Sequence, residues 1–328
     1  MKQERELASG EREWREPHSQ NESWYLFWLS GVPGIGLRTL QKLMGRFGSA
    51  EAVYRASRRE LEKTAGLSAA CRERILSWDG RCGAQGEWEE LREKGIRYLS
   101  FYNEEYPRRL KALCDPPKHL YVRGGLPEAS RHSVGIIGAR DCTIYGRDMA
   151  RLFGYRLAEA GVQVISGMAR GIDGWAHQGA LESGGSTYAV LGCGVDICYP
   201  SVHKRLYDSI LRRGGILSEL PAGTGARAGF FPMRNRIISG LSDGVLIVEA
   251  REKSGSLITA DAALEQGRDV FVIPGRIGDE LSVGCNRLIR QGAVPVLSPS
   301  DILEYYGIPE QEISENKNFQ SWEREILH

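Results

Sequence analysis

Arg234, Asn235 and Arg236 stand in a row within the segment FPMRNRIISGLSDGVLIVEA (231–250). The segment then enters Gly244-Val245-Leu246-Ile247-Val248-Glu249, short and apolar enough for a buried strand. Two guanidinium groups beside a buried strand end are costly unless something anionic meets them. Phosphate suits them best, because a planar fork can donate two parallel N–H bonds to it. An internal pair with Glu249 or Asp243 would meet the same need. Ile237-Ile238-Ser239-Gly240-Leu241 reads as helix, so the Arg pair is expected at its N-terminus. One Arg is expected to be buried against a carboxylate such as Glu249 or Glu219, and the other to reach a groove.

Three more glycine-rich stretches carry the same chemistry: Gly138-Ala139-Arg140, then Ser166-Gly167-Met168-Ala169-Arg170-Gly171-Ile172-Asp173, then Gly192-Cys193-Gly194 followed by Tyr199-Pro200. Glycine lets a backbone approach a phosphate, and a following helix N-terminus adds donors. GxGxxG does not follow the first strand, and GxxxxGK[ST], HExxH and GxSxG are absent, so neither a dinucleotide site nor a familiar hydrolase is indicated. Asp173 is expected as a helix N-cap and His177 as a packed residue. No nucleophile stands with a base and an orienter, so no catalytic residue, metal or cofactor is expected. What remains is an anion-binding surface. Arg140, Arg170, Lys204, Arg227, Arg234 and Arg236 fall at or just past strand ends, and Phe230 and Phe231 precede the Arg pair. Arginine for phosphate and an aromatic face for a base is the recipe of a single-strand binder. One of the two Phe residues is expected to be core.

The elements that must position these residues follow from the pattern. Apolar runs at Val134–Ile137, Val162–Ser166, Thr187–Leu191, Gly215–Ser218, Gly244–Glu249, Val270–Ile273 and Val294–Leu297 predict strands. Helical stretches such as Tyr145–Ala160 and Gly174–Ser183 lie between them. The alternation predicts an α/β fold, a doubly wound and mostly parallel sheet whose ligands bind at the carboxyl ends of the strands. Residues 81–133 read as a charged helical linker with accessory strands at Ile96–Phe101 and His119–Val122. Residues 23–80 read as a small all-α domain, a helix-hairpin-helix built on Gly31-Val32-Pro33-Gly34-Ile35-Gly36, with a related unit at Leu61–Ile75. Such a hairpin either offers backbone N–H groups to a DNA phosphate or only makes turns. Residues 1–22 read as a mobile tail and 305–328 as a C-terminal tail.

Composition narrows the class. A chain of 328 residues with 41% hydrophobic content holds about two domains with real cores. A net charge of +1 allows a local nucleic-acid patch but no global basic field. Seven cysteines without a CxxC pair fit reduced thiols in a cytoplasm. No apolar run is long enough for a bilayer, so no membrane partner is expected.

The segments GARDCTIYG (138–146), SGMARGIDGWAH (166–177), LGCGVDICYP (191–200), FPMRNRIISGLSDGVLIVEA (231–250), SGSLITADAALEQGRDVFVIPG (254–275) and GCNRLIRQGA (284–293) together resemble the DNA-processing protein A family (DprA, also called Smf). The resemblance runs in order from about Leu26 to Leu303. It implies an extended Rossmann-like domain at 134–304, preceded by a helix-hairpin-helix or sterile-alpha-motif-like (SAM-like) domain. It further implies a non-enzymatic protein that binds single-stranded DNA, forms a homodimer and helps load RecA during natural transformation. The family's GSR is Gly138-Ala139-Arg140 here, which makes Arg140 the phosphate-binding arginine. The SGxAxGID loop is Ser166–Asp173, whose backbone at Gly167 and Met168 would meet DNA beside Arg170. The Asn of YPxxNxxL is His203 here, with Lys204 next to it as a phosphate partner. FxxRNR is intact at Phe231, Arg234, Asn235 and Arg236, and Arg227 is the nearest basic residue before that Phe. Ser256 and Asn286, from SGS and GCN, complete the expected nucleic-acid set. Leu288 and Ile289, adjacent on one helix, are expected at the dimer interface. Phe319–His328 resembles the start of the family's C-terminal winged helix. Two other classes stay open: a nucleotide phosphoribohydrolase-like enzyme, whose PGGxGTxxE loop has no match at Ser254–Thr259, and a nucleotide-sensing module.

Overall fold

The computed structural model describes residues 22–309, with backbone alone at 78–82. The tail expected at 1–22 therefore lies outside the described residues except for Glu22, which opens a helix. The winged-helix start at 319–328 lies outside them as well. The chain forms two compact units divided between Ala84 and Gln85.

The first unit is helical: α1 (Glu22–Gly31), α2 (Leu37–Phe47), α3 (Ala50–Arg55), α4 (Arg58–Glu62), α5 (Ala69–Leu76) and the start of α6 (Trp78–Glu93). Its core is α1 itself, buried from Trp24 to Ser30, with Tyr54 edge-on to Trp24, Tyr25 and Trp28. Serine caps start three of the helices. Ser49 accepts from Ala52 N, Ser57 and Glu60 form a reciprocal box, and Ser68 accepts from Cys71 N. The two hairpins are present, and Arg74 of the second donates to Pro33 O of the first at 2.9 Å.

The second unit carries β1 (Arg97–Ser100), α7 (Arg108–Lys111), β2 (His119–Gly124), β3 (Ser133–Ile137), α8 (Ile144–Glu159), β4 (Gln163–Ser166), α9 (Ile172–Glu182), β5 (Thr187–Val190), α10 (Lys204–Arg213) and β6 (Gly215–Ser218). It continues through α11 (Phe230–Leu241), β7 (Gly244–Ile247), α12 (Gly255–Glu265), β8 (Asp269–Val272), α13 (Val283–Arg290), β9 (Val294–Pro295) and α14 (Pro299–Tyr305). One sheet holds all nine strands in the order β1-β2-β6-β5-β4-β3-β7-β8-β9. β3 to β9 are parallel, and β2 joins antiparallel to β6. The strands expected as accessory thus extend the main sheet at one edge. Val134, Ile136, Leu246 and Phe271 face the core under α8 and α9, while Ile137, Val245, Ile247 and Val272 face the core under α11, α12 and α13. No helix among the described residues is long and apolar enough to cross a membrane.

Two imidazoles are sealed inside this unit. Thr187 Oγ1 donates to Val164 O at 2.8 Å, so it must accept from His177 Nδ1–H at 2.7 Å, which leaves Nε2 with no partner among the described residues. Burial lowers the pKa of His177 to about 3. Burial also brings His119 down to about 3, with the Lys118 charge adding to the effect. Both stay neutral in the fold, whereas the unfolded chain protonates them near pH 6.5. The unfolded state therefore gains protons first as pH falls, and stability drops from about pH 6.5 down toward pH 3. Urea unfolding should show a loss of about 2 kcal/mol per imidazole between pH 7 and pH 5. A stability independent of pH over that interval would contradict this account.

Candidate nucleic-acid interface

The strand order reverses between β3 and β7, and a cleft of about 550 Å³ opens at the carboxyl ends there. Gly138, Ala139 and Arg140 line it after β3. The first turns of α11 form one side, and the segment from Arg251 to Ser256, leading into α12, forms another.

Arg234 is the deepest cation of this cleft. It lies in the second turn of α11, because the helix reaches back through Pro232 to Phe230, and proline is tolerated in a first turn. The expected position at the helix N-terminus is corrected accordingly. The residue is 6% exposed, and its Nη1 donates to Val190 O at 2.6 Å. The guanidinium rests on Gly167, where a Cβ would sit 1.7 Å from Nη1. Asp173 supplies the balancing charge from the first turn of α9. Its carboxylate also accepts from Gly167 N at 3.2 Å and Ala169 N at 3.4 Å. Burial pushes Asp173 up and Arg234 down, and the charge of each holds the other back. Asp173 is therefore not the N-cap of α9. That position is Gly171, in the left-handed region at φ 74°.

Arg236 sits on the opposite side of α11, as two positions on a helix require. It donates to Glu219 Oε2 at 2.5 Å and to Asp115 O at 3.0 Å, away from the cleft. Burial raises the Glu219 carboxyl, and Arg236 opposes the rise. Arg236 is thus the member of the pair held by a carboxylate, Glu219 as expected, while Arg234 lines the cleft but is itself buried, its Nε without a hydrogen-bond partner among the described residues. The alternative partners have other duties. Glu249 accepts from Thr143 N at 2.9 Å at the start of α8, and Asp243 pairs with Arg109 at 3.0 Å.

Arg140 is an uncommitted cation of the cleft. It is exposed, has no carboxylate partner among the described residues, and lies over the Phe231 ring at 4.9 Å. It also faces Arg234, whose charge it opposes. Asn235 lines the cleft and donates to Gly255 O at 3.3 Å. Ser256 is buried and hydrogen-bonded to Ser254 at the start of α12.

The other expected contacts are distributed differently. Ser166 donates to Ile136 O and is buried. Gly167 N is used by Asp173, and the Met168 side chain is buried at φ 55°. The Gly167 N–H is thus committed internally, although Gly167 itself lines the slot beside Arg140. His203 explains that loop: its Nδ1–H donates to Met168 O at 3.1 Å, and its ring lies against Gly174. An imidazole N–H here serves where an amide would. Arg170 is exposed, 3.7 Å from Asp141, and lines a small slot beside Arg140. Lys204 pairs with Asp208 at 2.5 Å and Arg227 lies over Phe230 at 6.0 Å, both outside the lining of the cleft. Asn286 makes two bonds to Gly275, at 2.9 and 3.3 Å, and is also outside it. Leu288 is 5% exposed in the sheet core and does not stand free at a surface, while Ile289 packs against the same core and stays half-buried. Lys253 also lines the cleft, as does Tyr199, which stood in the third glycine-rich stretch but not in the expected nucleic-acid set. Lys253 borders the SGS motif and Tyr199 closes LGCGVDICY, so their neighbours were the available signal.

A family model described as DNA recombination-mediator protein A matches residues 97–307, from β1 to just past α14. The chain belongs to this family. Protein Smf of Escherichia coli K12 is 49% identical over 203 residues, covering 62% of this chain and 54% of that protein. The match thus spans about half the length of that relative. DNA processing protein DprA of Bacillus subtilis is 40% identical over 229 residues, 70% of this chain and 76% of that one. The solved structure of DprA from Streptococcus pneumoniae superposes with a TM-score of 0.74 at 34% identity, covering 86% of this chain and 97% of that one. DprA from Helicobacter pylori, solved for its single-stranded DNA binding mode, gives 0.57 at 31% identity, covering 64% and 95%.

The geometry separates a scaffold arginine from a free one in this recombination-mediator fold. Arg234→Met removes a buried charge and strands Asp173, so the urea midpoint should fall by the equivalent of about 3–5 kcal/mol. Arg140→Met should stay within about 0.5 kcal/mol of the parent. Equal stability of the two variants would refute the assignment.

Proposed function

We propose that the chain binds single-stranded DNA through its phosphates in the cleft between β3 and β7, without catalysing a reaction. The observation that carries this reading is Arg140. An exposed guanidinium held toward the buried cation Arg234, with no carboxylate partner among the described residues, is a site awaiting an anion. Lys253 and the N-terminal turn of α12 add positive potential on the same cleft. The carboxylates lining it are Asp141, which faces Arg170, and Asp173, which is spent on backbone N–H groups and Arg234. Neither is placed as a general base, which favours binding over turnover. The single-strand binding of the Helicobacter pylori relative points the same way.

Family membership extends the proposal: the held strand is delivered to RecA during natural transformation, in the cytoplasm, by a homodimer. Self-association falls to the exposed Ile258 on α12, 45% accessible, and the half-buried Ile289 on α13, rather than to Leu288. Ile258→Asp with Ile289→Asp should shift the sedimenting species to monomer mass; an unchanged mass would remove this surface from the account.

Fluorescence anisotropy tests the binding itself. A single-stranded 20-mer should bind more tightly than duplex of equal length, with affinity falling steeply as salt rises. Mononucleotides should compete weakly; tight competition would favour the nucleotide-sensing reading. Arg140→Ala should weaken single-strand binding by about 1–3 kcal/mol. Equal affinity for duplex, or a wild-type affinity in Arg140→Ala, would contradict the proposal.

A further inference from the structure

The ring most open to a ligand is not Phe231. Arg140 lies over that ring at 4.9 Å and Arg234 comes within 5.9 Å of its centroid. A Cβ at Gly192 would sit 2.9 Å from its Cδ1, so main chain presses on its edge. Phe231 is half-buried and serves as a seat for the arginines. Tyr199 differs on each count. It is 46% exposed, and no guanidinium or ammonium lies over its ring among the described residues. Its centroid is 5.8 Å from that of Phe231, with the planes inclined by 34°. It lines both the main cleft and the slot under Arg140 and Arg170. Arg140 and Arg234 thus gather at Phe231, with a largely exposed aromatic ring, Tyr199, beside it.

We propose that Tyr199 is the platform on which a base of the bound strand stacks, while Arg140 holds a phosphate next to it. Every base has a π-face, so such a platform adds affinity without reading sequence. It also gives the site a preference for unpaired strands, because bases stacked within a duplex present no free face to Tyr199. This inference rests on the phosphate-binding reading of the cleft and adds a base contact to it.

Two probes of equal length and charge separate the two contacts: an oligothymidylate 15-mer and an abasic 15-mer with the same phosphates. The full chain should bind the oligothymidylate about 5- to 100-fold more tightly than the abasic strand. Tyr199→Ala should lose that preference by weakening on oligothymidylate alone, with unchanged affinity for the abasic strand and an unchanged melting curve. Tyr199→Phe should keep the preference. The stacking role is overturned if the wild type does not distinguish the probes, if Tyr199→Ala weakens both equally, or if Tyr199→Ala keeps the preference, which would move the contact to another ring such as Phe231. If the wild type binds neither probe, the phosphate reading itself fails.

Discussion

The arrangement depends on one buried guanidinium. Arg234 reaches from α11 across the carboxyl ends of the strands, donates to Val190 O at the end of β5, rests on Gly167 past β4 and faces Asp173 at the start of α9. Four chain segments are fixed by one planar group. A side chain at 167 would expel it, and an uncompensated charge at this depth would be intolerable without Asp173. Asp173 in turn accepts the N–H groups of Gly167 and Ala169. The loop that resembles a phosphate cradle is therefore closed on an internal carboxylate, and this leaves Arg140, Lys253 and the α12 N-terminus to meet an outside anion.

This gives a physical reason for the spacing in Phe231, Arg234, Asn235 and Arg236. On a helix Phe231, Arg234 and Asn235 share one face, here the face that lines the cleft, and Arg236 turns to the other side. Phe231 sits under Arg140, Arg234 enters the core, Asn235 ties α11 to Gly255, and Arg236 braces the far side on Glu219 and Asp115. The segment stiffens the cleft and shapes its wall, while the exposed charge comes from a different strand end. A cleft held rigid before a strand arrives loses less conformational freedom on binding.

Much of the fold was legible because β-branched runs alternate with helical spacing. Ser133–Ile137, Gly215–Ser218 and Asp269–Val272 lie within a residue or so of their expected bounds. The sheet's strand order was not legible, since pairing of β2 with β6 and of β3 with β7 is a matter of long-range packing. In the site, Glu219 was legible as a carboxylate partner for the Arg pair, and it takes Arg236. Asp115, the second acceptor of Arg236, lies 121 residues away, so no local pattern joins them. Leu288 and Ile289 were both expected at an interface, yet Leu288 is buried in the sheet core and only Ile289 keeps part of its surface open. Asn286 looked like a ligand contact and instead closes the turn at Gly275. His203 gained a role only when its ring was seen to hold Met168 O. Each of these depends on what a side chain meets after folding.

The central claim is that Arg140 touches phosphate while the intact Arg234–Asn235–Arg236 segment serves mainly as scaffold. The salt dependence of single-strand affinity measures this most directly, because each phosphate contact contributes about 0.7 to the log–log slope. Arg140→Ala should reduce the slope by about that amount, and Arg236→Gln should leave it unchanged. An unchanged slope in Arg140→Ala, or an equal reduction in Arg236→Gln, would contradict the account.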